Sequence, residues 1–206
     1  TLKEHRAQFE LKSEYPLAEL QLKLDGTLQK QDIKGMIIAN VEHLDLYKLH
    51  FIQKPMSTSF QLFAEAETNL KENYALDVTL GNWELAFPQQ KVYPKTLTLR
   101  ARSNKDTTQV SFHAGDLGIV LTGNMGLEKI TNKLTNVSKD INYQLEKDST
   151  VNLAKLRPLL PEMNLDINAG RDNPIYNYLQ TMEVEFNKLG FRASTSPEEG
   201  IKMNAF

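Results

Sequence analysis

Residues 74–80 read Tyr-Ala-Leu-Asp-Val-Thr-Leu, with a large apolar side chain at every second position. Successive side chains of a strand point to opposite faces of its sheet, so this alternation predicts a β-strand with one apolar face. The same period of two recurs along much of the chain, which makes it the dominant structural signal. Further rows of this kind cover residues 20–24, 44–46, 60–64, 83–87, 97–99, 110–112 and 117–121.

Turn-forming residues separate these rows. They occur at Asp25-Gly26, at residues 71–73, 103–106 and 114–116, and at Gly81-Asn82, which we interpret as a tight turn before Trp83. Strands joined by such short connections form an antiparallel meander. We therefore predict a mainly β protein built on a long antiparallel sheet, with an apolar face and a polar face.

The period changes after residue 123. Apolar residues at 127, 130, 134, 137, 141 and 145 are spaced by three or four, which predicts one long amphipathic helix over residues 125–145. Asn124 is the expected N-cap of this helix. We expect the helix to pack on the sheet or to cap it.

Shorter elements follow the long helix. We predict a short helix over 152–156, a strand over 164–169 and a helical turn near 174–179, and then strands over 183–189 and 190–194 with a hairpin loop at 196–200. The expected organisation is an antiparallel β meander over 1–123, a helical insertion with a short strand over 124–180, and returning β strands over 181–206.

Composition narrows the classes of function. The chain has 206 residues, a net charge of −2, 40% hydrophobic residues and no cysteine. The balanced charge argues against a nucleic-acid partner, which needs clustered Lys and Arg. No apolar run approaches about 20 residues, so we expect no transmembrane segment. The absence of cysteine fits the cytosol and the bacterial periplasm equally well.

We found no pattern of residues that indicates catalysis. Phosphate-binding loops and nucleophile elbows are missing, and the four histidines lack metal-ligand spacing. Glu65 and Glu67 fit the polar face of a strand better than a carboxylate pair of a glycosidase. His113 and Asp116 fit a solvated surface pair. We therefore expect no enzymatic activity, no metal and no cofactor.

Four stretches of the chain resemble the TamB proteins of Bacteroidetes, within the AsmA-like group. They are residues 111–124, which lead directly into the long helix, and residues 24–28 (Leu-Asp-Gly-Thr-Leu), 156–161 (Leu-Arg-Pro-Leu-Leu-Pro) and 165–170 (Leu-Asp-Ile-Asn-Ala-Gly). The last residues, 201–206, still alternate apolar with polar. We therefore expect the chain to be a segment of a larger protein.

The resemblance implies a β-taco, which is a long curved antiparallel sheet with an apolar inner trough. It implies a periplasmic location, with the full-length protein anchored in the inner membrane. The implied function is phospholipid transport to the outer membrane and protein assembly there, with a TamA-like outer-membrane barrel as partner. The trough wall is expected to bind phospholipid acyl chains through Leu20, Leu22, Leu24, Leu44, Leu46, Phe60, Leu62, Leu76, Val78, Leu80, Trp83, Leu85 and Phe87.

An alternative function stays open on the sequence alone. The same strands could form an ordinary closed core under the helix, in a structural scaffold or protein-interaction module that binds no lipid. The position of the long helix distinguishes the two, because a covered apolar face favours the scaffold and an open one favours the groove.

Overall fold

The computed structural model describes residues 5–180, 183 and 185–206. The protein is mainly β and forms one large, open, antiparallel sheet of 12 strands, together with one long helix and shorter ones. Eleven strands follow one another across the sheet in chain order, and the twelfth, the two-residue β6, pairs with β5. The predicted fold class is therefore confirmed.

The strands fall into a long set and a short set. We call β1–β5 the long-strand half, since its strands have 11–14 residues, and β7–β12 the short-strand half, since its strands have 6–8. The strand bounds are β1 His5–Tyr15, β2 Ala18–Gln29, β3 Asp32–Asp45, β4 Ser57–Thr68, β5 Tyr74–Ala86, β6 Lys91–Val92, β7 Leu97–Ser103, β8 Thr108–Ala114, β9 Leu117–Gly123, β10 Met163–Ala169, β11 Leu189–Ser196 and β12 Gly200–Ala205.

Among the residues that the structure describes, three helices interrupt the meander, two before β10 and one after it. They are α1 (Leu127–Asp148), α2 (Leu153–Leu156), which continues into a 3-10 turn at Arg157–Leu159, and α3 (Pro174–Gln180). The positions predicted for all three are confirmed. The predicted N-cap of α1 is wrong: the N-cap is Gly126, and the amide of Leu127 donates to the hydroxyl of Ser103 at 2.9 Å. A strand from elsewhere in the chain thus replaces the local cap.

Two predicted turns lie inside strands. Asp25-Gly26 is in the middle of β2, where Gly26 pairs with Gly35, and the Asp25 carboxylate is held by Arg6 and Gln8 of β1. Gly81-Asn82 is a bulge within β5, with Asn82 at a φ of 48°. An aspartate or asparagine next to a glycine favours a turn locally, but cross-strand hydrogen bonds keep both pairs in the sheet.

The strand predicted over 183–189 is also wrong at Glu183 and at residues 185–188. Glu183 is in a turn at a φ of 61°, and residues 185–188 form no strand. The amide of Glu183 donates to the carbonyl of Gln180 at 3.0 Å. Residue 184 of that prediction lies outside the described residues. The returning β structure begins at Leu189, and the hairpin predicted at 196–200 is present.

The sheet leaves an unusually large surface in contact with solvent. The chain exposes 14217 Å², whereas a compact monomer of its mass exposes about 9,800 Å². The surface is therefore about 1.45 times that of a compact globule. An open sheet with little packed against it accounts for the excess.

Candidate functional site: the apolar face of the sheet

Cross-strand register aligns apolar residues into rows that run across the whole sheet. Directly paired residues share one side of a sheet, so each row can be followed from strand to strand. We call the side that these rows occupy the apolar face. One row contains Phe9, Leu24, Ile37, Ala64, Val78, Leu99, Phe112, Ile119, Ile167, Phe191 and Ala205.

The two faces differ sharply in charge. Among the paired strand positions that the structure describes, the apolar face carries no Asp, Glu, Lys or Arg. The opposite face carries ion pairs between neighbouring strands, including Lys34–Glu67 at 3.1 Å and Lys23–Glu10 at 3.1 Å. Glu65 also lies on that face, opposite Asp77. One face of the sheet is therefore charged and suited to contact with water, whereas the other face is uncharged and apolar.

The predicted trough-wall residues lie on the apolar face or at its border. Those in β2, β4 and β5 follow the paired rows, and Trp83 donates from Nε1 to the Thr58 hydroxyl of the same face at 3.2 Å. Leu44 pairs with Thr58 after a bulge in β3. Leu46 and Phe87 follow the ends of β3 and β5 and belong to connections at one rim. The assignment of lipid binding to these residues stays a prediction.

Sequence reasoning missed the first strand of this face. Phe9 and Leu11 of β1 pair with Leu24 and Leu22. Their alternation with Gln8, Glu10 and Lys12 is the same period-two signal that identified the other strands. Ile33 and Ile37 of β3 were missed because the consecutive apolar residues at 36–39 obscure the alternation.

The apolar face is open in the long-strand half. The side chain of Phe9 is 53% exposed, Leu11 is 43% and Ile37 is 39%. Tyr15, Leu28 and Tyr74 of the same face are also exposed, most of its other large side chains are half-buried, and Ala39, Val41 and Thr58 near one rim are buried. Large apolar side chains that stay in water across several neighbouring strands mark a binding surface rather than a core.

Helix α1 lies at a rim of the sheet. It packs on α2 and on the 3-10 turn, and a Cβ at Gly123, the last residue of β9, would lie 2.7 Å from Cδ1 of Ile130. The helix is held by the Ser103 hydroxyl and by Lys105, whose carbonyl accepts the amide of Gly126. These contacts belong to the ends of β7–β9, so α1 leaves the apolar face of β1–β5 open.

Part of the helix stripe is itself exposed. Ile130 is buried and Val137 and Ile141 are half-buried, whereas Leu134 and Leu145 are exposed. The polar Gln144 is buried, where it accepts from the amide of Asn152 at the start of α2. The residues of α1 that pack against the rest of the protein therefore lie to one side of the apolar stripe that the sequence predicted.

The opposite rim of the short-strand half is closed around Asp116. Its carboxylate accepts a hydrogen bond from Nδ2 of the fully buried Asn173 at 2.7 Å and another from the amide of Asp172 at 2.9 Å. The bond from Asn173 lowers the pKa of the Asp116 carboxyl below its ordinary value. Asp116 is thus hydrogen-bonded to the loop before α3, whereas the sequence predicted a solvated surface pair with His113.

Aromatic residues complete this closure. Tyr176 of α3 is buried and packs edge-to-face on Phe186 at a centroid distance of 5.0 Å. Phe186 in turn packs against the buried cluster of Ala114, Leu117 and Ala169 on the apolar face. The short-strand half is therefore covered at both rims, by α1 and α2 on one side and by α3 on the other.

A furrow of small residues crosses the open part of the apolar face. Ala7, Gly26, Gly35 and Ala66 pair in succession from β1 to β4. They form the floor of a concavity of about 440 Å³, and Phe9, Leu24 and Ile37 line its side. A second concavity of about 310 Å³ shares Ala66 and Leu76 with the first and extends to Leu127 of α1. The furrow therefore runs from the edge of the sheet to the helix.

The described part of the chain contains neither a cluster of metal ligands nor a helix that could span a membrane. Within residues 5–180, 183 and 185–206, no three His, Asp or Glu side chains gather closely enough to hold a metal ion. None of the helices found there has the length and apolarity needed to cross a bilayer. Comparison with known proteins found no matching family model, no matching curated protein and no matching solved structure.

Proposed function

We propose that the apolar face of the long-strand half binds or shields phospholipid acyl chains. In this proposal the chain is a periplasmic segment of a TamB-like protein. The full-length protein is anchored in the inner membrane. It supports lipid transport to the outer membrane and protein assembly there, with a TamA-like barrel as partner. The observation that carries the proposal is an uncharged face left uncovered across five long neighbouring strands.

The energetics favour an alkyl ligand. Transfer of an acyl chain from water onto this face stabilises the complex by about 0.8 kcal/mol for each buried CH₂ group. A charged headgroup finds no countercharge on the face itself, so it would stay in water at a rim. Binding of this kind needs no catalytic residue, and the proposal assigns none.

The length of the furrow also fits acyl chains as the ligand. From β1 to β8 it crosses six interstrand steps, which is roughly 29 Å at about 4.8 Å per step. The hydrocarbon layer of a bilayer, which two opposed acyl chains span, is about 30 Å thick. The furrow therefore matches about two acyl-chain lengths laid end to end across the strands.

Lipid extraction from the purified 206-residue chain, followed by mass spectrometry, tests the proposal. We expect co-purified phospholipid in the parent chain and a loss of most of it in Leu76→Asp or Leu85→Asp, since each places a carboxylate on the apolar face. Thr79→Asp is the matched control, because Thr79 is exposed on the other face of the same strand. A lipid-free parent chain, or equal lipid in Leu76→Asp and Thr79→Asp, would count against lipid binding.

Filling the furrow gives a sharper test. A Cβ at Gly35 would meet no atom within 4 Å, so the side chain of Gly35→Leu starts from open space in the furrow. We expect less bound phospholipid, although the face becomes more apolar. Thr27→Leu, on the polar face next to Gly26, is the control and should retain the lipid. If Gly35→Leu binds more lipid than the parent chain, the furrow is not the binding position.

The scaffold alternative keeps one observation in its favour. Among the described residues, no strand pairs with the outer side of β1 or of β12, and free strand edges can recruit other strands. A closed core under α1, which that alternative also required, is not supported by the position of α1 at the rim. A stably folded chain that stays free of lipid would favour the scaffold.

A further inference from the structure

Two long connections lie at the rim of the long-strand half that is opposite to α1. Residues 46–56 join β3 to β4, and residues 87–96 join β5 to β7 and include β6. At the other rim, the turns cover only residues 30–31, 69–73 and 104–107. Hairpin loops usually have about two to five residues, and binding residues concentrate on loops that a rigid sheet holds in position. The two long connections are therefore candidates for contact with a partner.

These connections bring exposed aromatic side chains to one rim. Phe51 is 70% exposed and Tyr93 is 66% exposed, and Tyr47 and Phe87 are also exposed. Tyr15, the last residue of β1, is exposed at the same rim. We call these five residues the aromatic rim. The turns of the other rim contain no aromatic residue. Large apolar side chains that stay in water on several neighbouring segments mark an interaction surface.

Backbone hydrogen bonds fix both connections although their aromatic side chains stay in water. The amides of Phe51 and Ile52 donate to the carbonyl of Leu46, at 2.9 and 3.3 Å. In the second connection, the amides of Phe87 and Gln90 each donate to the carbonyl of the other residue, at 2.8 and 3.4 Å. A surface that is ordered before it binds loses less conformational freedom on binding. The aromatic rim is therefore pre-organised for a partner.

Charge indicates the chemistry of that partner. The two connections contain no Asp or Glu, and their lysines are Lys48, Lys54, Lys91 and Lys95. Asp45, Glu84 and Asp172 of neighbouring segments pair with three of these lysines, at 3.3, 2.7 and 2.9 Å. Among the residues that the structure describes, Lys54 forms no ion pair. The paired lysine side chains are more than half exposed, and exposed pairs are weak. The ammonium groups thus remain available to phosphate.

We propose that the aromatic rim docks on the surface of a phospholipid bilayer that contains anionic lipid. Tyrosine concentrates at the interface between hydrocarbon and water, and surfaces that combine large apolar side chains with lysine bind anionic bilayers. Tyr15 ends β1 and Phe87 directly follows β5, so the rim borders the uncharged apolar face. Docking goes beyond acyl-chain binding by that face and does not require it.

Flotation of the full 206-residue chain with vesicles of phosphatidylcholine and phosphatidylglycerol in equal parts tests the docking. The parent chain should float with the vesicles. The double variant F51S/Y93S should bind about tenfold more weakly or worse, because it removes two large apolar side chains from the interface. Tyr143→Ser is the matched control, because Tyr143 is exposed on α1, and it should float as the parent chain does.

Two results of this experiment overturn the proposal. One is a parent chain that does not float, and the other is equal flotation of F51S/Y93S and Tyr143→Ser. If F51S/Y93S floats as the parent chain does but sediments as a smaller species, the rim contacts a second copy of the chain instead of a bilayer.

Charge reversal tests the role of the lysines. Lys54→Glu should weaken binding to the mixed vesicles about tenfold, because it replaces attraction to anionic headgroups by repulsion. Its binding to vesicles of phosphatidylcholine alone should equal that of the parent chain. Lys71→Glu, in a turn of the other rim, is the matched control and should bind both kinds of vesicle as the parent chain does. Equal losses in the two variants overturn docking through this rim.

Site-specific labelling tests the orientation independently, because the chain contains no cysteine. An environment-sensitive fluorophore on Gln53→Cys, within the first connection, should shift to shorter wavelength when the mixed vesicles are added. The same fluorophore on Leu70→Cys should not shift, because Leu70 is exposed in a turn of the other rim. Equal shifts at the two positions overturn the orientation.

Contact through the apolar face would give a different pattern. Leu76→Asp, which should lose co-purified phospholipid, should still float, and F51S/Y93S should keep its co-purified phospholipid. A Leu76→Asp variant that no longer floats would mean that the face itself contacts the bilayer, which overturns docking through the rim. A parent chain that floats but contains no co-purified phospholipid would retain this proposal and lose the acyl-chain function. The two proposals can therefore fail separately.

Discussion

The long-strand and short-strand halves share one pattern of residues but differ in what lies over them. Both place apolar side chains on one face and charged ones on the other. In the short-strand half, α1, α2 and α3 close the rims, and most of the fully buried apolar residues of the described chain belong to this half and its helices. In the long-strand half the same kind of face stays open. Alternation thus creates an apolar face, but only a covering segment turns it into a core.

This difference predicts how stability is distributed. Removal of apolar surface from water is the main favourable contribution to folding, so the closed half should contribute more stability per residue than the open one. The open half should instead tolerate truncation of its apolar side chains and respond to lipid. Three substitutions test this comparison, from the largest expected effect to the smallest.

Leu156→Ala should produce the largest loss. Leu156 of α2 is 2% exposed, and truncation of a buried leucine costs about 2–5 kcal/mol because of lost burial and the cavity left behind. Phe9→Ala removes a larger side chain that is 53% exposed and should cost less than about 1 kcal/mol. Urea unfolding of the two variants measures the difference. Similar losses would mean that the two halves are equally well packed.

Asn173→Ala should have an intermediate effect on the closed half. The Asn173 side chain donates to Asp116 and to the carbonyl of Gly170, and it accepts from the amide of Tyr176 at the start of α3. Its loss leaves buried polar groups without partners, which costs about 1–3 kcal/mol. Asn204→Ala, at an exposed position of β12, is the control. An unchanged urea midpoint in Asn173→Ala would refute the role of this side chain in closing the rim.

Asp25→Asn should have the smallest effect, in the open half and only at some pH values. Hydrogen bonds from Arg6 and Gln8 lower the pKa of Asp25 to about 2. A carboxyl whose pKa is lower in the folded state stabilises the protein above its unfolded pKa, and this contribution disappears as the pH falls through the folded pKa. We therefore expect Asp25→Asn to lose a little stability at neutral pH.

The difference between Asp25→Asn and the parent chain should shrink as the pH falls from about 4 to about 2. Thermal unfolding across this range measures it, with Glu19→Gln on the same strand as control. A difference that stays constant down to the lowest pH would mean that the charge of Asp25 does not contribute.

Much of the fold could be predicted because it depends on local periodicity. The alternation in residues 74–80 and the three-and-four spacing in residues 127–145 each report which side of an element is apolar, and both elements formed as expected. Asp25-Gly26 and Gly81-Asn82 were misread as turns because turn preference is local, whereas their places in β2 and β5 depend on partners from distant strands.

The sequence by itself determined that this protein has an amphipathic antiparallel sheet, a long amphipathic helix and thirteen candidate residues near one apolar face. Only the tertiary structure decided where the helix lies. Hydrogen bonds from the amide of Leu127 to the Ser103 hydroxyl and from the amide of Gly126 to the Lys105 carbonyl hold it at the rim of the short-strand half, together with the packing of Ile130 against Gly123. These contacts join residues far apart in the chain, so no local pattern encodes them, and they leave the long-strand half open.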